Sequence, residues 1–387
     1  PRPGTSRVPP GFPMQPSVWR HKRVLVTGHT GFKGAWLSLW LQDLGAEVVG
    51  LALDPPSDPN LFEVAGVAAG MTSLHGDIRE RDVVARALRE HDVEVVFHLA
   101  AQSLVRYSYR EPLETFSTNV MGTAKVLEAA RATDSVRAVV AVTTDKCYEN
   151  LESEGGYSEN DRLGGHDPYA ASKACAELVI AAYRRSYFDV ERAEARRLAL
   201  ASARAGNVIG GGDWAEDRLV PDIVRNCAAG RPVPIRSPGA VRPWQHVVEP
   251  LAGYLDLAEA LLEDGPAYAE AWNFGPGEDD LMTVGEVTEY LVDAWGPPAS
   301  WQLDEGAHPH ETRFLRLDST KAAERLGWRG RLTTRQALDQ VVDWHRAHLE
   351  GADMRSFTLR QIAAYSALRA GAVADDSDAR GAGTAAG

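Results

Sequence analysis

Three glycines, Gly28, Gly31 and Gly34, stand three apart in the run Thr27-Gly28-His29-Thr30-Gly31-Phe32-Lys33-Gly34. The residues before them, Lys22 to Thr27, read as a short apolar strand, and Gly31 to Leu44 read as a helix, so the glycines lie on a strand-to-helix turn. Glycine there permits a tight turn and close backbone approach, and the helix-terminal N–H groups face an anion such as the diphosphate of a dinucleotide. Asp54, in the residues after the next apolar run, is a candidate acceptor for adenosine ribose hydroxyls, and its charge favours NAD over NADP by repelling a 2′-phosphate. Asp77, in His75-Gly76-Asp77-Ile78, is a candidate partner of the adenine amino group and equally a helix N-cap. His29 and Lys33 add positive charge to the turn and are candidate phosphate contacts.

The alternation that begins there continues. Strands are expected at Glu47 to Leu53, Met71 to His75, Val93 to His98, Arg137 to Val142 and Leu198 to Ala203, and helices at Arg79 to His91, from Pro112 onward, and from Pro168 onward. Six or more strands separated by helices predict an α/β fold with a doubly wound, parallel, Rossmann-type sheet. Beyond Gly210 the alternation gives way to loops rich in glycine, tryptophan and proline, with helices near 217–229, 247–263, 284–295 and 334–350, which predicts a smaller mixed α/β substrate domain. The expected layout is an irregular extension over 1–20, which holds six prolines, a dinucleotide-binding domain over 21–210, a second domain over 211–370 with an interleaved boundary, and a disordered tail over 371–387.

A chain of 387 residues with 44% hydrophobic residues has room for two domains, and a net charge of −13 argues against nucleic acid or anionic membranes as partners. Three cysteines without CxxC spacing suggest neither a disulfide framework nor a zinc site, and no metal is expected. No apolar stretch is long enough for a membrane span, and residues 1–20 lack the apolar centre of a signal peptide, so a cytoplasmic protein is expected.

The residues that bear chemistry follow the expected Arg137–Val142 strand, whose carboxyl end is where open α/β sheets bind ligands. They are Thr143-Thr144-Asp145-Lys146-Cys147-Tyr148, then Tyr169-Ala170-Ala171-Ser172-Lys173 at a helix start. Tyr169 and Lys173 are four apart and share a helix face, where an ammonium can ease loss of a phenolic proton whose unperturbed pKa is about 10. An acid beside a base at 145 and 146 points to a second step besides hydride transfer.

With His98-Leu99-Ala100-Ala101-Gln102, Thr118-Asn119-Val120-Met121-Gly122-Thr123, Arg204-Ala205-Gly206-Asn207 through Gly212-Asp213-Trp214, and Arg242-Pro243-Trp244-Gln245-His246, these runs resemble the extended short-chain dehydrogenase/reductases from about Trp19 to Tyr365. Within that group they resemble the CDP-glucose 4,6-dehydratases, because the dTDP-glucose type has Asp-Glu where this chain has Asp145-Lys146. Ser103, where the family has Pro, is a departure. The resemblance implies dehydration of CDP-glucose to the 4-keto-6-deoxy sugar by an internal NAD cycle: oxidation at carbon 4, loss of water across carbons 5 and 6, and reduction at carbon 6.

It implies Tyr169 as base for the 4-hydroxyl, Lys173 lowering its pKa and holding the nicotinamide ribose, Thr144 as partner of the developing ketone, Asn119 as support for Lys173, and Asp145 as the acid for the departing hydroxyl. Lys146 is either a base of depressed pKa or an ammonium that stabilises the enolate. Cofactor contacts are implied for Gly28, Thr30, Gly31, Phe32, Lys33, Gly34, Asp54, Asp77, Ile78, Leu99, Ala100, Ala101, Tyr169 and Lys173. Substrate contacts are implied for Gln102, Thr144, Asn207, Arg218 and Arg242, with Arg204 and Arg236 as weaker diphosphate candidates and Trp214 and Trp244 as walls for sugar or base. The partner is a small-molecule nucleotide sugar, and extended members are commonly dimers, so a homodimer or dimer of dimers is expected; the apolar face of the Pro112 to Ala130 helix suits that contact as well as packing on the sheet. Two other readings use the same turn: a nucleotide-sugar 4-epimerase, which needs no acid and base at 145 and 146, and a non-catalytic dinucleotide-binding module.

Overall fold

The computed structural model describes residues 16–151, 155–188, 198–277, 281–304, 306 and 315–382. Strands β1 (Arg23–Thr27), β2 (Glu47–Ala52), β3 (Thr72–His75), β4 (Val95–His98), β5 (Ala138–Val142) and β6 (Ala199–Ala205) are joined by a seventh, Ala271–Phe274, in one parallel sheet. The order from one edge is Ala271–Phe274, β6, β5, β4, β1, β2, β3, so the chain winds outward both ways from the middle of the sheet, with β1 next to β4.

Side chains alternate across this sheet as a two-residue period requires. Val24 and Val26 enter the core on one face while Leu25 enters the core on the other, and Val140 and Val139 divide in the same way. The first face is covered by helices Phe32–Asp43 and Val248–Tyr268, the second by Arg81–Glu90, Thr123–Arg131 and Pro168–Tyr187. With both faces apolar and covered, the inner strands read as near-continuous hydrophobic runs, while the edge strand β3 is mostly exposed.

Two features depart from the sequence reading, and a third bears on the interleaved boundary. Residues 16–20 join the fold: Pro16–Trp19 is a short helix, and the fully buried Trp19 donates from Nε1 to Glu259 at 2.6 Å. Proline-rich composition hid this because one indole supplies the anchor. At the other end the helix Met354–Ala382 runs past 371, where a tail was expected; its alanines favour helix more than any other residue, while 383–387 lie outside the described residues. Finally, the strand Ala271–Phe274 and the helix on β5 and β6 come from beyond residue 210, so the second half of the chain completes the first sheet.

The remaining helices Leu219–Ala228, Val284–Trp295 and Thr334–Leu349 enclose a separate apolar cluster that includes Ile223, Val233, Trp244, Leu291 and Val341. A cleft runs between this cluster and the carboxyl ends of the sheet strands, and Thr144, Asp145, Lys146, Tyr169 and Lys173 line it.

Candidate active site

The glycine turn is built as its spacing demands. Gly28 has φ +76° and lies so close to the β4 exit that a Cβ there would stand 2.8 Å from Ala100 Cα, and a Cβ at Gly34 would collide with the Gly28 carbonyl oxygen. No side chain caps the helix start at Gly31, which leaves that end to an external anion. Thr27 Oγ1 accepts from the Leu99 and Ala100 N–H groups, each at 3.2 Å, and so fixes the two loops against each other. These features fit a dinucleotide diphosphate.

The turn's charged residues behave differently from the expectation. His29 points into the protein, 2.7 Å from Ser73 Oγ and edge-on to Phe62, over Gly50, where a Cβ would strike its ring. Burial pulls its pKa down to about 4, so it is a neutral packing residue and no phosphate contact. Lys33 likewise turns inward, donating to the Tyr254 hydroxyl at 3.4 Å. Thr30 Oγ1 donates to the Leu53 carbonyl, and Asp54 stands exposed beyond β2, 3.6 Å from His75 Nε2, on the cleft rim. Asp77 lines the cleft, but its two oxygens accept from the Arg79 N–H at 2.7 Å and Nε at 2.8 Å. Burial alone would raise that carboxyl; the Arg79 hydrogen bonds outweigh it and hold the pKa low, and Asp77 closes the turn ahead of the helix Arg81–Glu90, whose N-cap is Glu80. Ile78, Leu99, Ala100 and Ala101 line the same wall, as do Phe32 and Gly31.

The reacting groups gather at the carboxyl end of β5. Thr144 caps a 3₁₀ turn over Asp145–Cys147, accepting from the Lys146 N–H and donating to Asp145 Oδ1 at 2.9 Å. Asp145 is buried, and its Oδ2 has no hydrogen-bond partner; Gly206 keeps that oxygen uncovered, since a Cβ there would stand 3.2 Å away. Burial raises the Asp145 pKa, against the opposing pull of the Lys146 charge and the Thr144 hydroxyl, as an acid that must hold a proton requires. Lys146 is half-buried on the cleft wall.

Asp167 caps the helix Pro168–Tyr187 by accepting from the Ala170 N–H at 2.9 Å, and that helix presents Tyr169 and Lys173, both buried. Burial pushes Tyr169 up to about 12, with the Thr144 hydroxyl opposing, and pulls Lys173 down to about 8, with Glu177 opposing. Lys173 Nζ donates to the Val142 carbonyl at 3.3 Å, so in this arrangement it braces β5 and does not acidify Tyr169. Asn119 lies in a π-helical turn, Ser117–Gly122, and its amide bonds the Gln102 backbone and Ser172 Oγ, each at 2.9 Å. It therefore braces the loop after β4 against the Tyr169 helix without touching Lys173 directly.

Among the expected substrate contacts, Asn207, Arg218 and Arg242 line the cleft. Arg218 bonds Asp213 at 3.1 Å and Ser103 Oγ at 3.0 Å, a contact that proline at 103 could not make. Gln102 is spent locally: its amide bonds Thr115 Oγ1 and both backbone groups of Leu104, so its side chain is not offered to a substrate. Arg204 is displaced further. It is buried behind β5, paired with Glu177 at 2.8 Å and stacked on Tyr148, because alternate residues of β6 face the helix and not the cleft. Arg236 reaches Asp217 and Asp304 at 3.8 and 3.9 Å. Trp244 lines the cleft with its Nε1 unpartnered, while Trp214 packs on Trp344, His345 and His348. Glu177 and Tyr254 escaped the sequence reading, although Tyr169, Lys173 and Glu177 at i, i+4 and i+8 were there to be read as one helix stripe.

A parallel seven-stranded sheet with this turn, and with Thr144, Tyr169 and Lys173 at its ligand edge, defines an NAD-dependent enzyme of the extended short-chain dehydrogenase/reductase type. Residues 24–270 match the NAD dependent epimerase/dehydratase family, and the chain belongs to it. It is 50% identical over 349 residues to the CDP-glucose 4,6-dehydratase of Salmonella typhimurium, covering 90% of this chain and 97% of that one. A dTDP-glucose 4,6-dehydratase of Xanthomonas campestris is 28% identical, with 88% and 98% covered. The crystal structure of the dTDP-glucose 4,6-dehydratase DesIV from Streptomyces venezuelae, with NAD and TYD bound, aligns at a TM-score of 0.71 and 29% identity over 86% of this chain and 99% of that one.

Proposed function

We propose that the protein dehydrates CDP-glucose to CDP-4-keto-6-deoxyglucose. The observation that carries this reading is Asp145: a buried carboxyl with its pKa raised and one oxygen unpartnered, next to Thr144 and on the same site as Tyr169. Oxidation and epimerisation at carbon 4 have no use for such an acid, whereas expulsion of the carbon 6 hydroxyl as water does. The half-identical relative is named for this reaction.

When bound at the glycine turn, NAD supplies the acceptor and then the donor of one hydride. Tyr169 takes the proton of the 4-hydroxyl, and Thr144 donates to the carbon 4 oxygen as it becomes a ketone. That ketone makes the carbon 5 hydrogen acidic. Lys146 serves the elimination, either taking the carbon 5 proton or, as an ammonium, steadying the enolate while water takes it; Asp145 gives its proton to the oxygen that leaves carbon 6 as water, and the hydride returns to carbon 6 as a proton returns to carbon 5. Arg218 and Arg242 are the diphosphate partners, since guanidinium forks match phosphate oxygens.

Assaying CDP-, dTDP-, GDP- and UDP-glucose side by side tests the reading: CDP-glucose is expected to lose one water, and an unchanged hexose mass with every substrate refutes it. Lys146→Met is expected to allow reduction of bound NAD⁺ by substrate while blocking entry of solvent deuterium at carbon 5, and normal turnover in that variant would remove Lys146 from the elimination.

The proposal includes a homodimer. Its support is the apolar surface left on two helices that pack side by side, with Leu113 83% exposed and Met121 53% exposed on one stretch and Leu178 59% exposed on the Tyr169 helix. Light scattering should give twice the chain mass, and Leu113→Glu with Leu178→Glu should give the monomer. A reducing, cytoplasmic setting accords with three unpaired cysteines, and no helix among the described residues is long and apolar enough to cross a membrane.

A further inference from the structure

The loop after β4 holds Ser103 between two pinned neighbours. The Gln102 N–H donates to Asn119 Oδ1 and its carbonyl accepts from Asn119 Nδ2, each at 2.9 Å. The Gln102 side chain in turn bonds both backbone groups of Leu104 and donates to Thr115 Oγ1 at 2.8 Å. Because Asn119 also donates to Ser172 Oγ, this frame is fixed to the Tyr169 helix. Ser103 itself faces the cleft, and its Oγ accepts from Arg218 Nη2 at 3.0 Å. Arg218 Nη1 donates to the buried Asp213 at 3.1 Å, and Asp213 is held by the Ala215 N–H at 3.0 Å. Three residues after Ser103, Arg106 donates to Asp217 at 3.2 Å, so the two loops meet at two points.

We propose that Ser103 is a positioning residue for the nucleotide sugar, acting through Arg218: its hydroxyl sets the guanidinium in place before the diphosphate arrives. This rests on the reading of Arg218 as a diphosphate partner. An arginine side chain has many rotamers, and fixing one of them in the empty protein removes that ordering cost from binding. The two acceptors on Arg218 differ in kind. Asp213 orients the guanidinium but opposes a diphosphate with its own negative charge, whereas the Ser103 hydroxyl orients it without neutralising it. Two guanidinium nitrogens each spend a donor on these contacts, and the N–H groups left over suit phosphate oxygens. Proline, expected at 103 from the resemblance, carries no side-chain acceptor, so the tie depends on the serine of this chain. Diphosphate contacts lie away from the reacting carbons and are the same in ground and transition state, so they govern KM and not kcat. Arg218 is 35% exposed, and a contact of that kind contributes little to folding, so its removal leaves the fold intact.

The test uses the full NAD-loaded chain, with CDP-glucose as substrate and CDP and cytidine as competitive inhibitors. Ser103→Ala should raise KM and the CDP inhibition constant by about three- to tenfold, with kcat and the cytidine constant unchanged, since cytidine has no diphosphate. Ser103→Thr keeps the hydroxyl and should restore wild-type values, while Ser103→Asp brings a second carboxylate to the guanidinium and should weaken CDP more than Ser103→Ala does. Arg218→Ala should weaken CDP further still, and adding Ser103→Ala to it should change nothing more, because the serine acts only through the arginine. Equal weakening of CDP and cytidine in Ser103→Ala, an unchanged CDP constant there, or full additivity with Arg218→Ala overturns the proposal. An Arg218→Ala variant that binds CDP as tightly as wild type would instead overturn the reading of Arg218 as a diphosphate partner.

Discussion

Removing the carboxylate of Glu177 should cost the protein several kcal/mol although Glu177 touches no ligand. It is buried one turn beyond Lys173 and receives four hydrogen bonds: Arg204 Nε at 3.0 Å, Arg204 Nη2 at 2.8 Å, Ser202 Oγ at 2.8 Å and Thr143 Oγ1 at 2.5 Å. In Glu177→Ala the buried Arg204 guanidinium keeps only the Tyr148 hydroxyl, the face of that ring and a long contact to the Glu159 carbonyl. Breaking a buried pair by deleting one partner costs about 3–5 kcal/mol, because the other charge is left without compensation. Removing both, as Glu177→Leu with Arg204→Met, eliminates the stranded charge and should recover more than half of that loss.

Urea unfolding followed by tryptophan fluorescence measures both. A Glu177→Ala penalty under about 1 kcal/mol, or a double variant no better than the single one, would refute the account of Glu177 as the counter-charge that makes Arg204 tolerable. Turnover should fall as well, because the same carboxylate holds Thr143, and Thr143 precedes Thr144 and Asp145. The pH dependence has a defined sign. Burial alone would raise the Glu177 pKa, but the Arg204 charge and hydrogen bonds outweigh it and hold it below the ordinary range. Its stabilising contribution is therefore complete above the unfolded-state pKa of about 4.3 and is lost as pH falls through the folded-state value.

Two further outcomes follow from the site. Asp145→Asn should still reduce bound NAD⁺ on addition of CDP-glucose, seen as reduced-nicotinamide absorbance, while product formation drops by roughly 10²–10⁴; because burial holds the Asp145 pKa above the ordinary carboxylate range, wild-type turnover should decline as pH rises through that value, and the variant should lack that limb. Gly34→Ala should abolish dinucleotide binding by calorimetry, since its Cβ collides with the Gly28 carbonyl and the turn cannot close.

Strands β1 to β6 were legible because each is short and followed by a helix pattern, and all but β3 are largely apolar, whereas Ala271–Phe274 was not expected; the boundaries moved by one or two residues, as with Arg23–Thr27 against the expected 22–27. The turn and the Thr144, Asp145, Tyr169 and Lys173 cluster were legible because their spacing matches one strand end and one helix face. What the sequence concealed is the direction of side chains at places where two elements compete for them. His29 and Lys33 stand in a phosphate-binding turn yet point inward, one onto Gly50 and Ser73, the other onto Tyr254, and each of those contacts is made by residues far along the chain. Arg204 follows the alternation of β6 into the protein, so its neighbour in the motif, Asn207, lines the cleft while Arg204 does not. Gln102 is turned away by its own loop, a competition among Leu104, Thr115 and Asn119 that no periodicity reveals.

The directions of the pKa shifts in the reacting centre agree with one another. Burial raises Asp145, raises Tyr169 to about 12, lowers Lys173 to about 8 and lowers Lys33 to about 7, so each group is moved toward its uncharged form. A site of that kind holds its acid ready, since Asp145 needs a proton at the moment the carbon 6 oxygen leaves. It does not hold its base ready, since a Tyr169 phenol near pKa 12 gives up its proton only when positive charge is brought to it, and Lys173, the cation on its own helix, is turned to the Val142 carbonyl. The two half-steps are thereby separated: the elimination acid is set by the fold alone, whereas the redox base is set by whatever charge and hydrogen bonds the ligands bring. Ligand-free protein should accordingly show no phenolate absorbance for Tyr169 up to about pH 10, and a phenolate signal in that range, absent in Tyr169→Phe, would contradict the separation.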